Sequence, residues 1–199
     1  MTLRHRRRSH RVDTNRQRWI FAIFAAIAFL PPFWSSPGRI SADTKSYLMI
    51  DPWALLRQTT QLWDSSTGLG TVTHQTIGYL FPMGSWWAAA DLLGLADWVT
   101  QRLWWGTLVF TALCGAHRLA VTMSVSRRAS TVTALAYGLS PYLFTYISRI
   151  SAILLPWAVL PWMVIIMRRA RDERLVAMLT RVRFPSPTGA PLVASGETS

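Results

Sequence analysis

Charged side chains gather directly behind the first apolar run of the sequence. Arg39, Asp43, Lys45 and Asp51 follow a Ser-Pro-Gly break within a short distance of each other. A carboxylate just outside an apolar segment can take the proton of a reacting hydroxyl group. Arginine and lysine beside it can offset the charge of a phosphate. These residue types make Asp43 a candidate general base, with Arg39 or Lys45 as contacts for an anionic substrate group, and the alternative for Asp43 is an ordinary solvated loop residue.

Three further residues are candidate substrate contacts, each with a structural alternative. Asp51 precedes a proline and a helical pattern, so helix capping is the stronger interpretation for it. His74 lies among polar residues, where a lone histidine is usually ordinary surface. Arg102 lies near the end of an apolar segment, where it can meet a lipid phosphate or simply extend to water. The sequence contains no metal-binding, nucleotide-binding or Ser/His/Asp pattern, so we predict no metal and no cofactor.

The composition indicates a membrane protein. Of the 199 residues, 51% are hydrophobic and 15% are charged, and 11 are tryptophan, a residue that collects at membrane interfaces. We interpret the pairs Trp86–Trp87 and Trp104–Trp105 as such interface anchors. The net charge of +12 comes largely from arginines beside apolar runs, which argues against nucleic-acid binding. The single cysteine, Cys114, excludes a disulfide framework within the chain.

Four uncharged or nearly uncharged segments are long enough to cross a membrane as helices, namely 19–34, 98–120, 129–147 and 150–167. A helix of about 18 residues covers about 27 Å, close to the thickness of a hydrocarbon core. The first segment could be a signal peptide, but its Pro-Pro-Phe-Trp ending is a poor cleavage site. We therefore predict an all-α membrane fold with about four transmembrane helices.

The segment 77–90 is short for a transmembrane helix and contains Pro82 and Gly84. We predict a surface or re-entrant helix here. A second short surface helix is predicted over 51–64, with its apolar face toward the membrane. Both would lie in one long external loop over residues 35–97.

Arginine positions set the predicted orientation. If 77–90 does not cross, the pairs at 127–128 and 168–169 fall on the same side as the seven arginines of residues 1–18. The positive-inside rule places that side in the cytoplasm. We predict a multi-pass protein of the plasma membrane with a cytoplasmic N-terminus.

The chain divides into three predicted regions. Residues 1–18 form a basic cytoplasmic arm, residues 19–169 a transmembrane domain, and residues 170–199 a cytoplasmic and largely disordered tail. Three prolines and two glycines after Arg183, without apolar periodicity, favour disorder. A natural tail and a frameshifted end both fit this composition.

Five strings in fixed order resemble a known family. They are SPGRISADTKSYLMIDPWALLRQTTQLWD, GYLFPMG, WVTQRLWWGTLV, ALAYGLSPY and LPWAVLPW. Together they look like the N-terminal part of the actinobacterial membrane-bound α-(1→3)-arabinofuranosyltransferases (AftD-like), which are similar to the GT-C glycosyltransferases. The resemblance implies an essential acidic residue in the first external loop, matching Asp43, and two juxtamembrane helices in that loop.

The resemblance also implies the substrates. The donor would be decaprenylphosphoryl-arabinose, a polyprenyl phosphate held in membrane lipid, and the acceptor would be the arabinan of arabinogalactan and lipoarabinomannan. We expect a fragment of this transferase, inactive as an isolated chain unless another polypeptide supplies the missing region. The alternative is a non-catalytic, truncated membrane protein that keeps only the first part of the transferase.

Overall fold

The computed structural model describes residues 3–43, 47–59, 61, 63–65, 68–72 and 80–181. These residues form a mostly helical fold, as predicted. The helices are α1 (Leu3–Trp34), α2 (Tyr47–Ile50), α3 (Pro52–Thr59), α4 (Ser85–Leu92), α5 (Asp97–Thr122), α6 (Arg127–Gly138), α7 (Pro141–Tyr146) and α8 (Leu154–Arg181). A two-residue antiparallel ladder joins β1 (Trp63–Asp64) to β2 (Thr71–Val72), and the sequence did not predict it.

Helix α5 lies at the centre, and α1 runs antiparallel to it. At one end of this pair the ring centroids of Phe33 and Trp98 are 6.0 Å apart. At the other end the rings of Phe24 and His117 are 5.7 Å apart. The whole connection from residue 35 to residue 96 therefore begins and ends at the same end of the α1–α5 pair, which we call the loop end.

Helix α8 packs on α5 and runs parallel to it. Near the loop end, the Trp104 indole N–H donates to Ser151 Oγ over 3.0 Å. Further along, the Trp162 indole N–H donates to the carbonyl of Thr111 over 3.0 Å. Contacts that advance in the same direction on both helices place the start of α8 at the loop end.

Helices α6 and α7 together return the chain along α5. The segment 129–147, predicted as one helix, is two helices, because Gly138 ends α6 and Pro141 begins α7. Proline suits the first position of a helix and disfavours helical backbone in the residue before it. The prediction of a single helix was therefore wrong for this segment.

Glycines let three helices, α1, α6 and α8, approach α5 closely. A Cβ on Gly106 would overlap the ring of Phe29, and a Cβ on Gly138 would overlap the side chain of Leu113. A Cβ on Gly115 would likewise overlap the indole ring of Trp162. Small residues of this kind are typical of helix contacts in membranes, where close van der Waals packing drives association.

The connection between α1 and α5 contains the short helices α2, α3 and α4. Asp51 caps α3, since its Oδ1 accepts from the backbone N–H of Ala54 over 2.8 Å, and Pro52 is the first helical residue. The predicted helix over 51–64 is shorter than expected and ends at Thr59. Of the segment 77–90, residues 80–90 are described, and they form an irregular turn followed by α4.

Two of the described helices are both long and apolar enough to cross a membrane, at Gln17–Trp34 and Ser151–Arg174. Helix α5 has the length but contains Gln101, Arg102 and His117. Helix α6 has 12 residues and reaches only about 18 Å. The count of four membrane crossings stays a prediction.

The first and last helices extend beyond the predicted membrane-spanning segments. Helix α1 begins at Leu3, well before the predicted span, and α8 continues to Arg181. Residues 170–181, the first part of the predicted tail, are helical, and the disorder predicted after Arg183 stays a prediction. The remainder of the tail, residues 182–199, lies outside the described residues.

Candidate functional site

Asp43 is buried where the first loop meets α5 and α8. Its side chain is 1% exposed. Oδ2 accepts from the Trp105 indole N–H over 3.0 Å, and Oδ1 accepts from the backbone N–H of Ser151 over 2.7 Å. Two donors on different helical elements therefore fix the direction of the carboxylate.

Gln101 holds the loop backbone just before Asp43. The backbone N–H of Ser41 donates to Gln101 Oε1 over 2.9 Å, and Gln101 Nε2 donates to the Ser41 carbonyl over 2.9 Å. The Gln101 side chain is fully buried, so its amide satisfies both main-chain groups of one residue as a neighbouring β-strand would. This pair of bonds fixes the distance of the Asp43 backbone from α5.

Arg102 binds backbone carbonyls of the same loop. One terminal nitrogen donates to the carbonyls of Ser35 and Arg39, over 3.3 Å in each case. The guanidinium carbon lies 4.5 Å from the centroid of the Trp105 ring. Arg102 therefore stacks on the ring whose N–H binds the Asp43 carboxylate, and it ties the end of α1 to α5.

The start of α8 contributes through an irregular segment. Ser41 Oγ donates to the carbonyl of Ser148 over 3.0 Å. Residues 151–153 form one turn of 3₁₀ helix, which leaves the first amide, that of Ser151, directed at Asp43. The same residue accepts from Trp104, so Ser151 joins the loop, α5 and α8.

The sequence profile described as "alpha-(1->3)-arabinofuranosyltransferase, N-terminal GT-C domain" matches residues 26–186 of the chain. The chain belongs to this arabinofuranosyltransferase family. The alpha-(1->3)-arabinofuranosyltransferase of Mycobacterium tuberculosis is 37% identical over 150 residues, which are 75% of this chain and 11% of the relative. That of Mycolicibacterium smegmatis is 36% identical over 158 residues, 77% of this chain and 11% of the relative.

A solved structure agrees with the sequence relatives. The chain superposes with a TM-score of 0.70 on a cryo-EM structure of arabinofuranosyltransferase AftD from mycobacteria, with 38% identity, covering 73% of this chain and 11% of that chain. The chain therefore spans about a tenth of the length of the arabinofuranosyltransferases that it matches. The resemblance inferred from the five sequence strings is confirmed.

The predicted site residues of this arabinofuranosyltransferase domain do not all lie at one place in the structure. Asp43 and Arg102 come together through Trp105. Arg39 is exposed, and it is the carbonyl of Arg39 that contacts Arg102. The side chain of Asp51 caps α3, as its structural interpretation predicted. Lys45 and His74 lie outside the described residues.

Three residues of the site were missed from the sequence. Gln101 and Ser151 carry no pattern of their own, although Gln101 stands out as an amide beside an arginine in an otherwise apolar helix. Trp105 was interpreted as an interface anchor, but Trp104 and Trp105 are 3% and 6% exposed. Trp87 is also buried. These tryptophans are core residues because the first loop and α4 cover the end of α5.

Two neutral donors among the described residues, the Trp105 indole and the Ser151 amide, contact the Asp43 carboxylate. The described residues include no group of three or more His, Cys, Asp or Glu side chains suited to a metal ion. The nearby positive charge of Arg102 is engaged with backbone carbonyls and with the Trp105 ring. A carboxylate such as that of Asp43 can accept a proton.

Proposed function

We propose that this chain forms the N-terminal portion of an arabinofuranosyltransferase that moves arabinose from decaprenylphosphoryl-arabinose to cell-wall arabinan. The activity and the type of bond come from the names of the relatives, whose length the chain covers by 11%. The observation that carries the proposal is the Asp43 carboxylate, which Trp105 and Ser151 hold between the first loop, α5 and α8.

In the proposed reaction, Asp43 accepts the proton of an acceptor hydroxyl as the oxygen attacks the anomeric carbon of the donor arabinose. A new glycosidic C–O bond forms while the bond from that carbon to the phosphate oxygen breaks. The polyprenyl phosphate leaves with the electron pair. Arg39, which is exposed on the same loop, and Lys45 are the proposed contacts for the phosphate. Asp51, His74 and Arg102 are further predicted contacts, and Arg102 is better suited by its bonds to positioning Trp105.

The proposed membrane placement is multi-pass, in the plasma membrane, with a cytoplasmic N-terminus and an external loop end. Two features support it. Asp43 lies at the loop end of the α1–α5 pair, whereas Arg18 and the pair Arg127–Arg128 lie toward the opposite end. An excess of arginine at the end opposite the loop end is what the positive-inside rule expects of a cytoplasmic side.

A second candidate is a membrane protein without transfer activity, in which Asp43 has a structural role. One observation favours it. Asp43 is 1% exposed, and its bonds to Trp105 and Ser151 join the first loop to α5 and to the start of α8. A buried carboxylate with such bonds stabilises a fold whether or not it acts on a substrate.

A chimera separates the two candidates. Residues 26–186 of this chain would replace the matching segment of the Mycolicibacterium smegmatis relative, and membranes would be assayed for transfer of arabinose from decaprenylphosphoryl-arabinose to an arabinan acceptor. We expect transfer by the chimera and loss of transfer when Asp43 is changed. A correctly inserted chimera that transfers at the parental rate with Asp43→Asn would leave only the structural role.

A further inference from the structure

Arg118 has an unusual position near the end of α5 that is opposite the loop end. Its side chain is exposed, yet its guanidinium carbon lies 4.9 Å from the ring centroid of Trp162 on α8 and 5.7 Å from that of Phe21 on α1. Residues of α1, α5 and α8 therefore place this cation beside two aromatic rings, and we call the position formed by Phe21 and Trp162 the seat. The aromatic faces attract the charge and restrict the side chain.

The seat itself is rigid. The Trp162 indole N–H donates to the carbonyl of Thr111 over 3.0 Å. The ring also lies against Gly115, where a Cβ would come within 2.6 Å of the indole nitrogen. Trp162 therefore has little freedom to rotate, and Arg118 is held in place before any ligand arrives.

Among the residues that the structure describes, no carboxylate pairs with Arg118, so none of them neutralises its charge. Aromatic rings attract a cation but do not cancel its charge. An exposed guanidinium without a carboxylate partner among the described residues can take an anion as its ligand.

The depth of Arg118 points to the source of that anion. Arg118 lies four residues before the end of α5, which is about 6 Å along the helix. Phe21 follows Arg18 by three residues, and Trp162 precedes Arg168 by six, or about 9 Å. In the proposed membrane placement, on which this inference rests, the guanidinium is set back from the end of α5 to the level where lipid headgroups meet acyl chains.

Exposed apolar side chains surround the seat. Val121, one turn further along α5, is 46% exposed, and Ile166, one turn beyond Trp162, is 64% exposed. Acyl chains can pack against these apolar side chains, whereas a hydrated inorganic ion gains no polar contact from them. We propose that Arg118, seated between Phe21 and Trp162, binds the phosphodiester headgroup of an anionic phospholipid on the side of the membrane opposite the loop end.

The test uses the full 199-residue chain in detergent micelles. Phosphatidylglycerol or phosphatidylcholine would be titrated in, and lipid-bound protein counted by native mass spectrometry. We expect preferential retention of phosphatidylglycerol and about a fivefold weaker affinity for it in Arg118→Gln, the loss expected for one arginine near a lipid surface. Arg128→Gln is the matched control, because it removes an exposed arginine from the same end of the bundle without touching the seat.

A Phe21→Leu variant keeps the charge and removes one aromatic wall, and it should weaken retention by less than Arg118→Gln. Equal losses in Arg118→Gln and Arg128→Gln would mean that a diffuse basic surface attracts the lipid, and the site would be rejected. Displacement of phosphatidylglycerol by inorganic phosphate would assign the seat to free phosphate and also overturn the proposal. A thermal melt of each variant confirms that the chain is folded.

Discussion

The backbone N–H of Ser151 donates to Asp43 Oδ1 over 2.7 Å, although 108 positions separate the two residues. The carboxylate that is the candidate base thus also joins the first loop to the start of α8. Any change at Asp43 alters the structure and the chemistry together. Experiments at this residue need a variant that separates the two effects.

Asp43→Asn should lower both the amount of folded chimera and its transfer rate. An amide offers one oxygen and one NH₂ group. With its oxygen on the Ser151 amide, the NH₂ group would face the donor of Trp105. Adding Trp105→Phe removes that conflict and keeps a ring beneath Arg102. We expect the double variant to regain folded protein but to stay about 10²–10⁴-fold slower in arabinose transfer, as for loss of a general base.

The control for this experiment is Trp105→Phe alone, which retains the carboxylate and should keep most of the transfer rate. Asp51→Asn provides a second control, since asparagine caps helices about as well as aspartate. A double variant with folded protein and a normal transfer rate would show that Asp43 is not a base.

Gln101→Met should loosen the loop segment that contains Asp43. Methionine has a similar volume but cannot bond to the Ser41 backbone, so two buried or half-buried main-chain groups lose their partners. Each lost bond costs about 1 kcal/mol or more. The loss of two predicts at least about tenfold faster hydrogen exchange of the Ser41 amide. Mass spectrometry with fragmentation would measure that exchange in the 199-residue chain.

Gln17→Met is the matched control, because Gln17 is exposed on α1 and should leave the Ser41 amide unaffected. Unchanged exchange at Ser41 in Gln101→Met would contradict the assigned pair of bonds. In the chimera, Gln101→Met should lower transfer without abolishing it, since Asp43 keeps its carboxylate.

Gly115→Ala should destabilise the contact between α5 and α8. The added Cβ would lie 2.6 Å from Trp162 Nε1 and 3.2 Å from Pro161 Cβ. Overpacking of this kind typically costs about 1–3 kcal/mol. Unfolding in mixed micelles, followed by tryptophan fluorescence, should show a lower midpoint. Ala26→Leu, a larger addition on an exposed face of α1, should leave the midpoint nearly unchanged, and equal shifts in both would refute the close contact.

Single cysteines on a Cys114→Ala background should report the sides of the membrane. We expect an impermeant thiol reagent added outside to label Ser65→Cys and Leu93→Cys, which lie before and after the segment 77–90. Met123→Cys, between α5 and α6, should react only after the membrane is opened. Labelling of positions 65 and 93 from opposite sides would mean that 77–90 crosses, and the predicted topology would then be wrong.

The sequence by itself determined the helical class, the family and the local capping of α3. Apolar segments, arginine positions and the Asp51–Pro52 start are local signals, and they need only periodicity and residue type to be interpreted. The break at Gly138–Pro141 was also local and could have been predicted, because proline opens a helix and disfavours the helical backbone before it.

Only the tertiary structure decided what surrounds Asp43. Trp105 and Ser151 reach the carboxylate across 62 and 108 positions, and no local pattern reports a contact of that range. Tryptophan is typical of both membrane interfaces and cores. The burial of Trp104 and Trp105 therefore depended on how the first loop folds over α5. In the same way, Arg102 could serve a lipid phosphate or the protein, and the position of the Ser35 and Arg39 carbonyls settled which groups its guanidinium contacts.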